Sequence, residues 1–447
     1  MQGEVGEDLL ALRLSIGSIH PTKKRKRGDE LNDKNLAALL HARDRMIRLG
    51  GSRQGSLGDE KGLHLVRLLL VCASAVDRSD RTFAAEAIRQ LYRLVSISGD
   101  PMQRVAAHFA DGLAARCVAR GSPVFGLIME DPSPAEEFAA FASLYAVSPY
   151  YQFAHFTANQ SIIEVFEEEE HMNQGCLHVI DLDVSYGFQW PSLIQSLSDK
   201  ATGSRPISLR ITGFGRSSSE LRDTEMRLSS FASGCRNLSF EFVGRLRGEK
   251  EPFALESKRN ATIAVNLVFC LHTLKSASDI SSFLTQIHAM NPSVVTVVQE
   301  EGSRAAPGGG FLPRFLESLH YFAAIFDSLD DCLPAESKDR LRIEKSLLGR
   351  EIRKTVVEDY SEKVSTYERL EKWKAVMETN RFEGVRMSSR SVSQAKLLLK
   401  IKSHCSTMDE RGTGNGFRIS ERDEGKAISL GWQDRHLITA TAWRPAS

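Results

Sequence analysis

The sequence predicts an α/β protein, a doubly wound and largely parallel sheet with a helical region in front of it. Two patterns carry the prediction. Between residues 63 and 166 apolar side chains recur at i, i+3, i+4 and i+7, the spacing of one helix face, and beyond residue 176 short apolar runs alternate with helical segments, as in βαβ units. Composition agrees: 447 residues, 42% hydrophobic and 26% charged, describe an ordinary globular chain with room for a large core, divided into about three domain-sized units or one large α/β unit and a helical one.

Residues 1–62 read as a tail. They contain Gly50-Gly51-Ser52 and one dense basic cluster, Lys23, Lys24, Arg25, Lys26 and Arg27. Five adjacent cations repel one another and stay out of a core, so they are open to an acidic receptor groove, as nuclear-import signals are; the bland alternatives are a solvated linker or a nonspecific nucleic-acid arm. Leu10-Ala11-Leu12-Arg13-Leu14 weakly resembles the short leucine motifs of plant repressors, and chance alternation is the favoured reading. Leu36-Ala37-Ala38-Leu39-Leu40 has the L-x-x-L-L form that docks into receptor grooves, and Leu65 to Leu69 repeats that form where a core helix is expected.

Residues 63–170 read as a helical cap. Leu65, Leu68, Leu69 and Cys72 share one face, and Ala84, Ala87, Ile88, Leu91 and Val95 form a second stripe ending at Ser98-Gly99-Asp100-Pro101. Pro101 opens a third helix running toward Gly121, and further helices start near Pro134 and Tyr150. Glu167 to Glu170 reads as a solvated helix end. Apolar residues surround most of the run Leu63 to Val76, so that helix is either buried on nearly all sides or shared with a second chain, which makes Leu63, Val66 and Leu70 partner-contact candidates.

Residues 171–447 read as the α/β core. Strands are expected at Cys176–Asp183, Ile207–Thr212, Leu238–Phe242, Thr262–Leu267 and Val294–Val298, with helices at Phe188–Asp199, Ser218–Ala232, Ser278–Met290 and Leu312–Ser328. Three helices then follow, at Ser337–Val357, Tyr367–Asn380 and Ser391–Ser403. Three strands close the chain, at Phe417–Ser420, Ala427–Leu430 and Leu437–Trp443. Trp432 and Trp443 are expected as inward-facing aromatics that close the sheet edge.

Several function classes are excluded or disfavoured. With 58 Lys+Arg against 57 Asp+Glu, no whole-molecule field draws the chain onto a polyanion. The seven cysteines are scattered without a C-x-x-C pair, against both a disulfide framework and a zinc ribbon, and the twelve histidines lack ligand spacing. No apolar run approaches the ~20 residues of a membrane span, and Glu4, Glu7 and Asp8 stand where a signal peptide needs positive charge, so a soluble intracellular protein is expected. A cofactor site on this sheet wants glycines after the first strand and an acidic residue after the second. The chain has Asp183-Val184-Ser185-Tyr186-Gly187-Phe188-Gln189-Trp190 and Thr212-Gly213-Phe214-Gly215-Arg216 instead, so no cofactor is expected and side chains are expected to fill that pocket. His178 reads as a satisfied core imidazole. Asp181 and Asp183 read as turn caps, with an acid/base pair as the alternative. Between Lys338 and Lys354, Arg342, Lys345 and Arg353 are DNA-contact candidates, although the interspersed carboxylates suit a solvated helix.

Taken together these residues resemble the GRAS family of plant transcriptional regulators across residues 63–447. Residues 63–118 resemble its first leucine-rich region, and Tyr150–Phe166 falls in the second. His178-Val179-Ile180-Asp181 resembles the VHIID signature, Phe311–Asp330 with Arg350 and Glu351 the PFYRE region, and Arg418 through Trp432 to Trp443 the SAW region. The proline of PFYRE is not evident. Residues 183–197 and 322–330 look most like the scarecrow-like and nodulation-signalling-pathway type. The resemblance implies a sheet related to S-adenosylmethionine methyltransferases beneath a helical cap, nuclear location, and no enzymatic activity. It implies transcriptional control through homo- or heterodimers with other GRAS proteins, at promoter DNA bound directly or through a partner, without a membrane or a small-molecule substrate. For the subgroup it implies symbiosis signalling and strigolactone synthesis. The competing expectation is a methyltransferase with an atypical cofactor loop.

Overall fold

The computed structural model describes residues 57–446, apart from 248–259, 272–276, 302–309, 335, 359–368 and 403–415. The first helix among the described residues, α1, spans Leu57–Asp77 and so starts inside the expected tail. α2 (Arg81–Leu94) is capped by the Asp80 side chain and buries Ala84, Ala87, Ile88 and Leu91, the stripe read from the sequence. α3 (Pro101–Cys117) starts with a reciprocal Asp100–Gln103 capping box and a proline in its first turn, and ends before the expected Gly121. Then come the short α4 (Pro123–Ile128), α5 (Pro134–Val147) and α6 (Pro149–Glu168).

The acidic run at the end of α6 is solvated only at Glu168 and Glu170. Glu169 accepts the Thr262 and Ser293 hydroxyls at 2.7 and 3.0 Å, and Glu167 pairs with Lys200 and Arg390. These carboxylates fasten the end of α6 to the strands beneath it. A single turn, α7 (Glu170–Asn173), leads into the sheet.

Five parallel strands follow, in the places expected: β1 (Cys176–Asp181), β2 (Ile207–Gly215), β3 (Leu238–Leu246), β4 (Thr262–Val268) and β5 (Val294–Glu300). Between them run α8 (Trp190–Lys200), α9 (Ser218–Ala232) and α10 (Ala277–Ala289). The sheet order is β3-β2-β1-β4-β5-β9-β8-β7, so the winding reverses between β1 and β4, where Val179 lies between Ile211 and Ala264. Central strands are nearly continuous in apolar residues because helices cover both faces.

After β5 the chain forms α11 (Phe311–Cys332), α12 (Lys338–Ile343), a π-helical turn (Glu344–Leu348), α13 (Gly349–Val357) and α14 (Leu370–Thr379). The single helix expected over 337–357 is therefore interrupted. A short strand that the sequence did not announce, β6 (Phe382–Val385), precedes α15 (Ser389–Lys402), β7 (Phe417–Arg422), β8 (Ala427–Trp432) and β9 (Arg435–Pro445). β9 lies inside the sheet, antiparallel to β5 and β8, and also pairs β6. Trp443 is thus interior, a correction to the edge-closing role expected of it.

The C-terminal helices return to the cap. A Cβ on Gly112 of α3 would stand 2.8 Å from Val356 of α13, so only glycine permits this approach. Arg104 of α3 is 1% exposed and pairs with the equally buried Glu344 of the π-turn at 3.0 Å.

Candidate functional site

In a doubly wound sheet, ligands sit beyond the strand ends where the winding reverses, here the ends of β1 and β4. Asp181, the last residue of β1, is in register with Asn266 of β4. Its carboxylate accepts the Trp190 indole N–H at 3.0 Å and the Asn266 amide at 3.1 Å. Asn266 also exchanges hydrogen bonds with Gln189 at 3.1 Å and accepts the Thr296 hydroxyl at 2.9 Å. Gln189 in turn donates to Asn159 of α6. Burial drives the Asp181 pKa up to about 7 although these donors oppose the shift. Asp181 and Asp183 also cap the turn as expected, accepting the Asp183 and Ser185 amides.

The loop above this network turns at Gly187, where φ is 73° and a Cβ would meet Thr224 at 2.8 Å. Tyr186 and Phe188 do not enter the sheet. They pack upward on α5, with ring centroids 5.2 Å from Phe138 and 5.3 Å from Phe141 respectively. Trp190 is fully buried. In the place of an acidic residue after β2 stands Arg216, which pairs with Glu137 at 3.1 Å and Glu220 at 3.0 Å.

Side chains do not fill the space beyond the strand ends, contrary to the expectation from the loop. A cavity of about 390 Å³ remains between the cap helices α5 and α6, the ends of β1, β4 and β5, and α11. Tyr150, Tyr151, Phe269 and Tyr321 line it, and Tyr150 contacts Tyr321 hydroxyl to hydroxyl at 2.5 Å and Glu300 at 3.2 Å. Asp183, held by Arg247, is also in its wall; burial raises the Asp183 pKa against that guanidinium. No group of three or more His, Cys, Asp or Glu stands ready to hold a metal among the described residues.

The structure brings some predicted residues to this cavity and leaves others elsewhere. Asp181, Arg350 and Glu351 line it, and Arg350 pairs with Asp131 at 2.7 Å and Glu137 at 3.2 Å. Val179 and Ile180 are core, and His178 is a buried core imidazole as expected, with Nε2 2.9 Å from the Thr212 hydroxyl. Trp432 is apart from the cavity, donating to Asp327 of α11 at 2.7 Å, and Trp443 donates to Thr441. Leu63 is exposed and Leu70 half-buried, but Val66 is 3% exposed, so it belongs to the core of the cap and cannot meet a partner. Arg353 is also buried, which removes it as a DNA contact; burial lowers its pKa against Asp111 and Asp131. Arg342 and Lys345 are exposed, Arg342 paired with Asp339 at 2.7 Å. Lys23 to Arg27, Leu10 to Leu14 and Leu36 to Leu40 lie outside the described residues.

Sequence reasoning missed Asn266 and Gln189, although an asparagine inside the apolar run of β4 was a usable signal. Tyr150, Tyr321 and Glu300 come together only through the fold.

A profile of the GRAS domain family matches residues 65–444. The chain belongs to the GRAS family. It is 35% identical over 419 residues to Protein SCARECROW of Ipomoea nil, covering 92% of this chain and 50% of that protein. It is 34% identical over 421 residues to DELLA protein RGL3 of Arabidopsis thaliana, covering 90% of this chain and 75% of that one. Thus this GRAS chain spans about half the length of its SCARECROW relatives. The crystal structure of SCL7 from Oryza sativa superposes with a TM-score of 0.68 at 29% identity, covering 85% of this chain and 99% of that one. The GRAS fold therefore comprises both the cap and the nine-stranded sheet. Among the described residues no helix is long and apolar enough to cross a membrane.

Proposed function

We propose that this GRAS protein is a nuclear transcriptional regulator that works by binding other proteins rather than by catalysis. The observation that carries the reading is the distribution of exposed apolar side chains. Seven of the thirteen large ones among the described residues lie on the cap, Leu63, Phe83, Tyr92, Leu94, Ile97, Val124 and Leu127. Phe83 and Leu94 are eleven residues apart, three turns of α2, so they stand on one side of its buried stripe. α4 buries none of its residues and presents Val124 at 53% and Leu127 at 75% exposure. Such a concentration suits a protein partner, and the family suggests another GRAS chain, as homo- or heterodimer. The loop after β1 supports the non-catalytic reading, because Tyr186, Phe188 and Trp190 stand where a nucleotide would need glycines for close backbone approach.

Import into the nucleus is assigned to Lys23 to Arg27. Recruitment to promoters through a DNA-binding partner fits better than direct contact, since net charge is +1 and only Arg342 and Lys345 of the three basic candidates face solvent. The finer role, in symbiosis signalling and strigolactone-related gene control, rests on the likeness of residues 183–197 and 322–330 to the nodulation-signalling type. A gel shift on target promoter DNA tests the mechanism: the chain alone leaves the probe unshifted, a GRAS partner restores the shift, and Val124→Glu with Leu127→Glu abolishes that restoration. A shift by the chain alone contradicts recruitment.

A further inference from the structure

Two patches at opposite ends of α5 are complementary in charge, and the partner-binding role uses only one of them. Residues 121–147, which hold α4 and α5, include Glu130, Asp131, Glu136 and Glu137 and no lysine, arginine or histidine. α15 is the reverse, with Arg390, Lys396, Lys400 and Lys402 and no carboxylate. The net charge of the whole chain is +1, so this separation of sign is local.

Each patch also turns apolar side chains outward. α15 packs on α6 and β7 through Val392, Ala395, Leu398 and Leu399, and leaves Leu397 and Ile401 at 55% and 66% exposure. They stand at i and i+4, beside the exposed Lys396 and Lys400. On α4 the exposed Val124 and Leu127 stand at i and i+3, and the exposed Glu130 follows three residues later. A short helix with two apolar side chains and an acidic end complements a longer helix with two apolar side chains among lysines. Nucleic acid would suit the lysines but would set Leu397 and Ile401 against phosphates, so a protein surface fits α15 better. The 14 residues of α5 span about 20 Å. Arg350 pairs with Asp131 and Glu137 at its start, and Lys402 of α15 donates to the Ala146 carbonyl at its end, so one chain presents both patches at once.

We propose that α15 receives α4 of a second copy of this chain, Val124 and Leu127 packing on Leu397 and Ile401 while Glu130 faces Lys396 and Lys400. The pairing rests on α4 being the partner surface proposed above and supplies the surface that α4 meets. Two different patches make the contact, so damage to one patch on one copy is complemented by a copy damaged at the other. Sedimentation velocity on the full chain tests this with Val124→Glu plus Leu127→Glu on α4 and Leu397→Glu plus Ile401→Glu on α15. The parent is expected to associate and each variant alone to stay monomeric, while their equimolar mixture forms a one-to-one complex, since the first keeps α15 and the second keeps α4. Lys396→Glu with Lys400→Glu, which leaves the apolar residues in place, weakens association about tenfold or more, and adding Glu130→Lys to that chain recovers part of the loss. An α15 variant that associates like the parent overturns the pairing and leaves α4 as a partner surface, whereas an α4 variant that does so overturns both. A monomeric parent, or a mixture of the two folded variants that stays monomeric, also overturns the pairing, and the lysine variant decides if either glutamate pair fails to fold.

Discussion

The indole N–H of Trp190 reaches the carboxylate of Asp181 at 3.0 Å, which locks the first turn of α8 onto the end of β1. This contact and the Asn266 and Gln189 amides beside it fix the start of α8 beneath a loop that lacks the glycines a nucleotide needs for close backbone approach.

S-adenosylmethionine titrated into the full chain should therefore give no heat at millimolar concentration. A micromolar dissociation constant would restore the methyltransferase reading.

Arg104 and Glu344 are both 1% exposed and join the cap to the π-turn. Arg104→Met leaves Glu344 buried without its closest cation and should cost about 3–5 kcal/mol in urea denaturation. Adding Glu344→Met should recover a large part of that loss. A single variant as stable as the parent would show that the pair does not join the two regions.

Trp432 packs edge-on against Phe417 at 4.9 Å and donates to Asp327, so β8 is tied to α11. Trp432→Ala should cost about 3–5 kcal/mol and Trp432→Phe about 1 kcal/mol plus the lost packing. Equal melting temperatures for all three proteins would assign this residue to a partner surface.

Burial pulls the pKa of His108 down to about 4 and that of His155 to about 3 from 6.5. Both imidazoles are neutral in the fold, so the unfolded chain takes up their protons first on acidification. Their stabilisation is complete above about pH 6.5 and is lost progressively as pH falls toward 3. Replacing both with glutamine should flatten the fall in unfolding free energy between pH 6.5 and 4, by up to about 2.7 kcal/mol per pH unit. An unchanged slope would mean that other groups set the acid sensitivity.

The five parallel strands were legible because burial on both faces leaves short, nearly unbroken apolar runs. The cap stripes were legible from their 3.6-residue period. β6 escaped because only Phe382 of its four residues is buried, directly after a helix and the left-handed Arg381. The π-turn escaped because one extra residue per turn leaves the apolar period of 337–357 almost unaltered. Val66 and Leu63 looked alike in a helix apolar on most sides, and only the packing of α2 and α3 on α1 separates the buried one from the exposed one. The cavity was hidden because Tyr150 and Tyr321 are 171 residues apart, and no local pattern reports which rings a fold will place together.

Light scattering with pull-down on the full chain, parent against Val124→Glu with Leu127→Glu, tests the central claim most directly, since α4 buries none of its residues and the fold has no reason to fail. The account predicts that the parent associates with itself or another GRAS protein, and that the variant stays monomeric and unbound at an unchanged melting temperature. Undiminished association of a folded variant would contradict a partner surface at α4 on the cap.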